Sequence, residues 1–353
     1  MSINNYINQI GKWLDGSGPY AGIVFSSRIR LARNINQLPF SHWANAAALK
    51  KVAERVMIAV PNNQYMKGAE ILELDELSTL DKEFLVERHL ISPESVKGKG
   101  ELIVIGDKEL VSVMVNEEDH LRIQAMASGL QLSSVWRYLD QIDDKFSQEL
   151  DYAISPEWGY LTACPTNVGT GIRASVMIHL PAIAMTKQID KLLKAVSQLG
   201  LAIRGIHGEG TEALGNLFQI SNQVTLGRTE EEITDNIERV SKQIIEHEEK
   251  AQALLLKEAK TQVEDRVFRA YAILTSARIV TSKEAINLFS LLRLGVNIGL
   301  VEIDFSTLNE IFILSQPAHI RKRYGQDLSQ DEQDVRRADL IREKLTTAHR
   351  AHR

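Results

Sequence analysis

Residues 26–33 read Ser26-Ser27-Arg28-Ile29-Arg30-Leu31-Ala32-Arg33, and this alternation of charged and apolar side chains is the pattern of a half-buried strand. In a strand, successive side chains leave on opposite faces, so Arg28 and Arg30 share one face while Ile29 and Leu31 take the other. The pattern recurs downstream. In Asn116 to Met126, NEEDHLRIQAM, the polar side collects Glu118, His120, Arg122 and Gln124, and the other side Leu121, Ile123 and Ala125. In residues 169–180, GTGIRASVMIHL, Arg173 lies opposite Ile172, Ala174, Val176 and Ile178; in residues 201–210, LAIRGIHGEG, Arg204 opens a glycine-bearing loop.

Working outward, residues from about Ile23 to Leu226 mix alternating segments with short helical ones and glycine-rich connections. Beyond them Thr229 and Glu232 form a capping box ahead of Ile233, Ile237, Val240 and Ile244 at helical spacing. Thr281 with Glu284 and Ser329 with Glu332 open two further amphipathic stretches, and Pro317 marks a break between helices. The expected fold is therefore α+β: an antiparallel-sheet domain over residues 1–228 and an all-helical domain over 229–353, with a frayed tail from Thr347 to Arg353.

The chain has 353 residues, 44% apolar and 25% charged, with a formal charge of −5. That balance excludes a general polybasic attraction to nucleic acid or to a membrane surface. No apolar run is long enough to span a bilayer and the N-terminus carries no signal-like segment, so a cytoplasmic protein is expected. A single cysteine, Cys164, excludes an internal disulfide framework and a multi-cysteine zinc site; that thiol is either buried filler or chemistry.

Each arginine alone fits the solvated side of a sheet. Several on one face, beside glycine-rich loops, instead form a cradle for a polyanion such as a nucleotide triphosphate, because guanidinium groups hold phosphate oxygens and neutralise charge that migrates in phosphoryl transfer. A P-loop sequence is absent. Gly169-Thr170-Gly171-Ile172-Arg173-Ala174 matches GxGxxA, with Asp190 at a ribose-ligand distance, but β-rich residues follow where a dinucleotide fold needs a helix. Glu117, Glu118 and Asp119 follow the alternating LVSVMV segment, where they form either a solvated acidic turn or carboxylates beside the arginine face. A guanidinium that accepts a phosphoryl group needs such an acid, since its protonated, delocalised form is a poor nucleophile.

Together SSRIRLAR, NEEDHLRIQAM, CPTNVGTGIRASVMIHLP (164–181) and RGIHGEGTEALGNLFQISNQVTLG (204–227) resemble the ATP:guanidino phosphotransferases, the phosphagen kinase family. The resemblance implies that Arg28, Arg30, Arg122, Arg173 and Arg204 bind the ATP phosphates, that Glu118 acts on the guanidinium, and that Cys164 helps position it. Glu209 offers a second carboxylate opposite Glu118, and Met177 stands where the family carries a nucleotide-side histidine. ATP and Mg2+ are the implied cofactors, the metal held mainly by phosphates and water rather than by protein ligands.

The family's small-molecule kinases carry a helical closing domain ahead of the SSRIRLAR segment; here that segment lies within thirty residues of Met1, so a more open pocket and a protein substrate are expected. The helical part is similar to that of the bacterial protein-arginine kinases. Asp334, Arg336 and Arg337 lie in a segment similar to their phosphoarginine-binding motif, with Gln333 where an arginine is often expected; the same residues also fit a solvated, ion-paired helix face. This resemblance implies arginine phosphorylation of proteins for regulated proteolysis under stress, allosteric control by phosphoarginine, and a homodimer. It also implies as partners a heat-shock repressor, a zinc-finger activator and a Clp unfoldase. The rival readings are a small-molecule guanidino kinase and a catalytically silent phosphoarginine-binding adaptor.

Overall fold

The computed structural model describes residues 3–205 and 213–351. Ten strands are present among them: β1 (Val24–Arg33), β2 (Glu70–Glu73), β3 (Leu102–Ile105), β4 (Val111–Val115), β5 (Leu121–Ser128), β6 (Ile154–Ser155), β7 (Gly159–Tyr160), β8 (Ile172–His179), β9 (Leu201–Gly205) and β10 (Leu217–Asn222). Eight of them form one sheet in the order β2-β3-β4-β5-β1-β8-β10-β9, and β6 and β7 form a separate hairpin. Every pairing is antiparallel.

Register converts the local alternation into two chemically distinct faces, because residues directly opposite in an antiparallel pair project to the same side. Arg30 pairs with Gln124 on β5 and with Arg173 on β8, Ala32 with Arg122, and Gln219 with both Met177 and Arg204. All five expected arginines thus stand on one face. Ile29, Leu31, Ile123, Ile172, Ala174, Val176 and Ile220 stand on the other and are buried.

Helices cover that apolar face. α1 (Ala46–Asn62), α3 (Leu132–Glu149) and α6 (Glu230–Glu258) pack there, with Val52, Val56, Leu139, Phe146, Ile237 and Ile244 in one core with the strands. α6 starts at the capping box read from the sequence, Thr229 and Glu232 each capping the other's backbone. Its buried Glu248 in turn accepts from the backbone of Ala182 and Ile183, at 2.9 and 3.0 Å, at the start of α4 (Pro181–Met185). A carboxylate there meets unpaired amides and the positive end of the helix dipole. The first core therefore runs through α6.

Beyond it, α7 (Lys260–Ser276), α8 (Ser282–Asn297), α9 (Phe305–Leu314) and α11 (Gln330–Ala351) build a second core around Leu274, Phe289, Leu292, Ile311, Ile341 and Leu345. α10 (Pro317–Tyr324) leaves this bundle to dock on α2 (Thr79–Glu87). Glu87 accepts from the amides of Ala318 and His319 at 2.7 and 3.0 Å, and Arg321 pairs with Glu83 at 2.8 Å. α8 reaches the sheet as well: Arg293 donates to the carbonyls of Ala21 and Gly22, and His179 shares a 2.8 Å hydrogen bond with Ser290. α5 (Ile189–Gln198) flanks β9. No helix among the described residues is long and apolar enough to cross a membrane.

Candidate functional site

The arginine face is where the sequence argument becomes chemistry. Arg28, Arg30 and Arg122 line a cavity of about 360 Å³. Its other walls come from the end of α2 and the segment after it, including Glu87, His89 and Ser92, and from Phe312, Ile313 and Gln316 of the helical domain. The helical contribution had no signal in the sequence, because nothing local says that α9 will fold back over the sheet.

Few acids answer these cations. Arg28 donates one 3.1 Å hydrogen bond to Gln219, Arg173 one of 3.4 Å to Ser221, and among the described residues only Arg122 of the five has an ion pair, 3.1 Å to Glu117. The Nε atoms of Arg30, Arg122 and Arg173 are buried without a partner among the described residues. Burial, reinforced by repulsion from Arg122 and Arg173, brings the Arg28 guanidinium down to about 10. Burial and the charges of Arg28, Arg122 and Arg173 push Arg30 well below the ordinary arginine range, and burial with Arg204 lowers Arg173. Cations held this close, with donors unused, form a site that is completed by an incoming polyanion.

Arg204 departs from the expected loop position: it lies inside β9, opposite Gln219, and is exposed. The five-residue edge strand continues to Gly205, one residue beyond it. Glu209 lies outside the described residues.

The acids meet the arginine face at the turn between β4 and β5. Asn116, left-handed at φ 64°, starts this turn, and asparagine tolerates that conformation better than other non-glycine residues. Asn116 also bonds the carbonyls of Leu49 and Gly100 at 2.9 and 3.0 Å. Glu118 follows, exposed as a residue but with its carboxyl partly shielded from water by the turn. Burial, the neighbouring Asp119 and Glu117 raise its carboxyl above the usual glutamate range, against opposing pulls from Arg122 and a hydrogen bond to Cys164. Burial works to raise Glu117 too, yet Arg122 and hydrogen bonds from Ser92 and the Glu118 amide hold it below that range. Two adjacent glutamates are thereby separated: one is an arginine counter-ion and the other a base with raised proton affinity.

Cys164 is half-buried beside Glu118, 3.0 Å from the Thr166 hydroxyl, at the start of a 3-10 turn over Pro165–Asn167. Asp119, a residue with no separate role in the sequence reading, brings them together. Its buried carboxylate accepts from Asn34 Nδ2 at 2.6 Å and from the Ala163 amide at 2.7 Å, tying the end of β1, the acidic turn and the cysteine loop. His120 corrects the expected alternation. β5 starts only at Leu121, and the His120 ring is fully buried against the Ile35 amide and the Pro39 carbonyl, at 2.9 and 2.8 Å. Burial lowers its basicity. His120 thus braces the loop after β1 rather than the polar face.

The glycines of GTGIR are required by close approach. Gly169 has φ 109° and a Cβ there would lie 2.6 Å from the Thr225 carbonyl; at Gly171, φ 65°, it would lie 2.6 Å from the Ala32 carbonyl. This is strand packing, not a pyrophosphate loop.

Asp334, Arg336 and Arg337 do not converge on an open pocket. Arg337 is fully buried, donating to the carbonyls of Ser315 and Val280 at 2.7 and 2.9 Å and paired with buried Asp334, while Arg336 is exposed and 3.9 Å from Asp339. Among the described residues, no group of three or more histidine, cysteine or acidic side chains is arranged to hold a metal.

This geometry has relatives. Residues 51–251 match the family described as ATP:guanido phosphotransferase, C-terminal catalytic domain. The chain belongs to the ATP:guanido phosphotransferase family. Residues 260–353 match a second description, protein-arginine kinase McsB C-terminal domain. The kinase is 46% identical over 348 residues to the protein-arginine kinase of Halothermothrix orenii, covering 98% of this chain and 99% of that one. It is 49% identical over 340 residues to that of Symbiobacterium thermophilum, covering 95% and 96%. Among solved structures it is similar to lombricine kinase, with TM-score 0.58, 25% identity and 71% of this chain covered against 76% of the other. The duplicated taurocyamine kinase from Schistosoma mansoni shares the fold, with TM-score 0.59 and 21% identity over 94% of this chain and 42% of that one. The α+β class and its antiparallel sheet agree with the sequence expectation.

Proposed function

We infer that this protein is an ATP-dependent kinase that transfers the γ-phosphoryl group of ATP to arginine side chains of proteins. The observation that carries the reading is the single sheet face on which Arg28, Arg30, Arg122 and Arg173 present under-used guanidinium donors, with Glu118 at its rim. Those arginines hold the triphosphate and neutralise charge as it moves toward the leaving phosphate. Arg204, on the same face, adds a fifth cation. The Glu118 carboxylate takes a proton from the acceptor nitrogen as the N–P bond forms and the bond from phosphorus to the bridging oxygen breaks, releasing ADP. Cys164, beside Glu118, orients the guanidinium, and Glu209 is assigned the opposite side of it. Magnesium would be held mainly by the nucleotide phosphates and water rather than by side chains of this protein, and would supply further positive charge against the triphosphate.

The wider assignment that the sequence resemblance implies is proposed with it: marking of proteins, among them a heat-shock repressor, for a Clp unfoldase under stress; a zinc-finger activator; a homodimer; and a cytoplasmic location. Phosphoarginine binding at Asp334, Arg336 and Arg337 belongs to the same proposal and requires the buried Asp334–Arg337 pair to open. The test of the activity is to incubate the protein with Mg-ATP and an arginine-rich protein, handle it without acid and locate phosphate by mass spectrometry. Labelled arginines are expected. Efficient transfer to free arginine or creatine with no labelled protein would overturn the acceptor assignment.

A further inference from the structure

Apolar side chains that neither core uses gather around the β6–β7 hairpin. Ile154, Trp158 and Leu226 are 56%, 48% and 45% exposed, and all three line one groove of about 590 Å³. The β6–β7 hairpin forms one wall; the segment leading into α6 forms the other. Singly exposed apolar residues are ordinary, but three lining one concave surface mark a place where something docks. The groove is also acidic: Glu157, Glu230 and Glu232 line it against Arg228 alone.

The groove is joined to Cys164 by one loop. Its floor, Gly169 and Thr170, belongs to the loop that carries Cys164. The Thr225 hydroxyl lies 3.0 Å from the carbonyl of Thr166 and 2.7 Å from that of Val168, the Tyr160 amide donates to the Gly169 carbonyl at 2.8 Å, and the Ala163 amide is held by Asp119. One loop therefore has the reacting end of the sheet on one side and the groove on the other.

We propose that this groove seats an extended segment of the substrate protein flanking the acceptor arginine, with an apolar side chain against Trp158 and Leu226 and a basic one at the carboxylates. The proposal rests on the protein-arginine reading above and adds to it a preference for the surrounding sequence. An extended chain advances about 3.3 Å per residue, so residues a few positions from the acceptor cross the loop. Charge complementarity and an apolar anchor are what a short segment needs in order to be held while its arginine reacts.

The test uses the full-length protein carrying Trp158→Ala with Leu226→Ser, and separately Glu157→Lys, each checked for a wild-type melting temperature. Acceptors are an unfolded basic protein and a blocked Gly-Arg-Gly tripeptide, the second too short to reach the groove. The expected result is a KM for the protein raised about tenfold or more in the double variant, as lost apolar contact predicts, with kcat within about twofold and the tripeptide unaffected. An unchanged protein KM overturns the proposal. So does an equal rise for the tripeptide, which would trace the effect to the Cys164 loop, or a change only in oligomeric state, which would make the groove a contact between copies. Failure of the underlying reading looks different: the wild type itself would label no protein arginine.

Discussion

Arg30 and Arg33 lie three residues apart on β1 and occupy opposite faces in opposite electrostatic states. Arg33 turns to the helices. Its Nε and Nη2 both reach Asp143, at 2.9 and 2.7 Å, Nη1 donates to the carbonyls of Ala32 and Thr170, and the guanidinium stacks 3.5 Å from the centre of the Tyr160 ring. Burial acts to lower it, but Asp143 and Tyr160 more than compensate and hold it above the ordinary arginine range. Arg30 has no such acid; burial and three neighbouring arginines lower it. A buried arginine whose donors are all answered is structure, and one whose donors are left over is a binding group. The residue type is the same and Arg33 is the more deeply buried, yet its state is the opposite of what burial alone would give, because of what the neighbours supply.

The acids divide in the same way, and the largest expected effect tests that division. Asp143 and Glu117 are engaged by arginines, while Glu118 is left with a raised proton affinity. Glu118→Gln keeps shape and removes only the charge, so phosphoryl transfer should fall about 10²–10⁴-fold, the usual worth of a general base, while ATP still binds. Near-normal turnover measured under saturating ATP would remove Glu118 from the mechanism.

Next comes the pair on β1. Arg33→Ala strands buried Asp143 and should cost about 3–5 kcal/mol of stability, as breaking a buried ion pair does. Arg30→Ala relieves repulsion, so it should unfold no more easily than the wild type yet bind ATP more weakly. Denaturant melts and nucleotide titrations on both variants decide this. Similar melting curves for the two would erase the distinction between the faces.

A smaller effect is expected on pH dependence. In the proposed mechanism transfer needs the ionised Glu118, so activity should climb as pH rises through a midpoint above the ordinary glutamate range, then level off. Glu117 contributes negative charge that makes the Glu118 proton harder to remove, and it also occupies Arg122. Glu117→Gln removes the first effect and frees the Arg122 charge; both shift the midpoint to lower pH. A kcat profile that stays put, or moves up, would show that the two carboxylates are not coupled.

Much of this site is legible from parity alone. Once β1, β5 and β8 pair in register, Arg28, Arg30, Arg122 and Arg173 must fall together, because a strand has only two sides. Parity fails where a strand has not yet started, as at His120, and says nothing about a contact made across the whole chain, as when Phe312 and Gln316 come to wall the cavity. Asp119 is legible as one of the acids, but its bridging role has no local signal, because its partners, Asn34 and the Ala163 amide, lie 85 and 44 residues away. The burial of Arg337 was readable and easily missed. It precedes Ile341 and Leu345 at intervals of four, on the same helical stripe, but charged residues are expected outside unless paired.

That stripe frames the smallest expected effect without ligand. Arg336 and Arg337 form a second contrast on α11: Arg337 is held by Asp334 and two carbonyls, with its Nη2 left without a partner among the described residues, and Arg336 is exposed with a long 3.9 Å pair to Asp339. Arg336→Ala should change stability by less than about 1 kcal/mol, as exposed pairs do. A phosphoarginine site here would reverse the roles. The phosphoryl group would compete for the Arg337 guanidinium, Asp334 would be released to take the ligand's guanidinium, and the Ser315 carbonyl at the junction of α9 and α10 would lose its donor. Because Gln316 and Phe312 beside that junction line the arginine cavity, such a change would couple the two sites, with a coupling of about 1–3 kcal/mol if it resembles other allosteric pairs. Free phosphoarginine titrated into wild type, Arg336→Ala and Arg337→Ala, with binding and initial rate both measured, separates the cases. Loss of binding and rate response in Arg337→Ala is expected. Equal binding and identical response in all three would make α11 structural throughout, and leave the second domain to wall the cavity and to join copies of the chain.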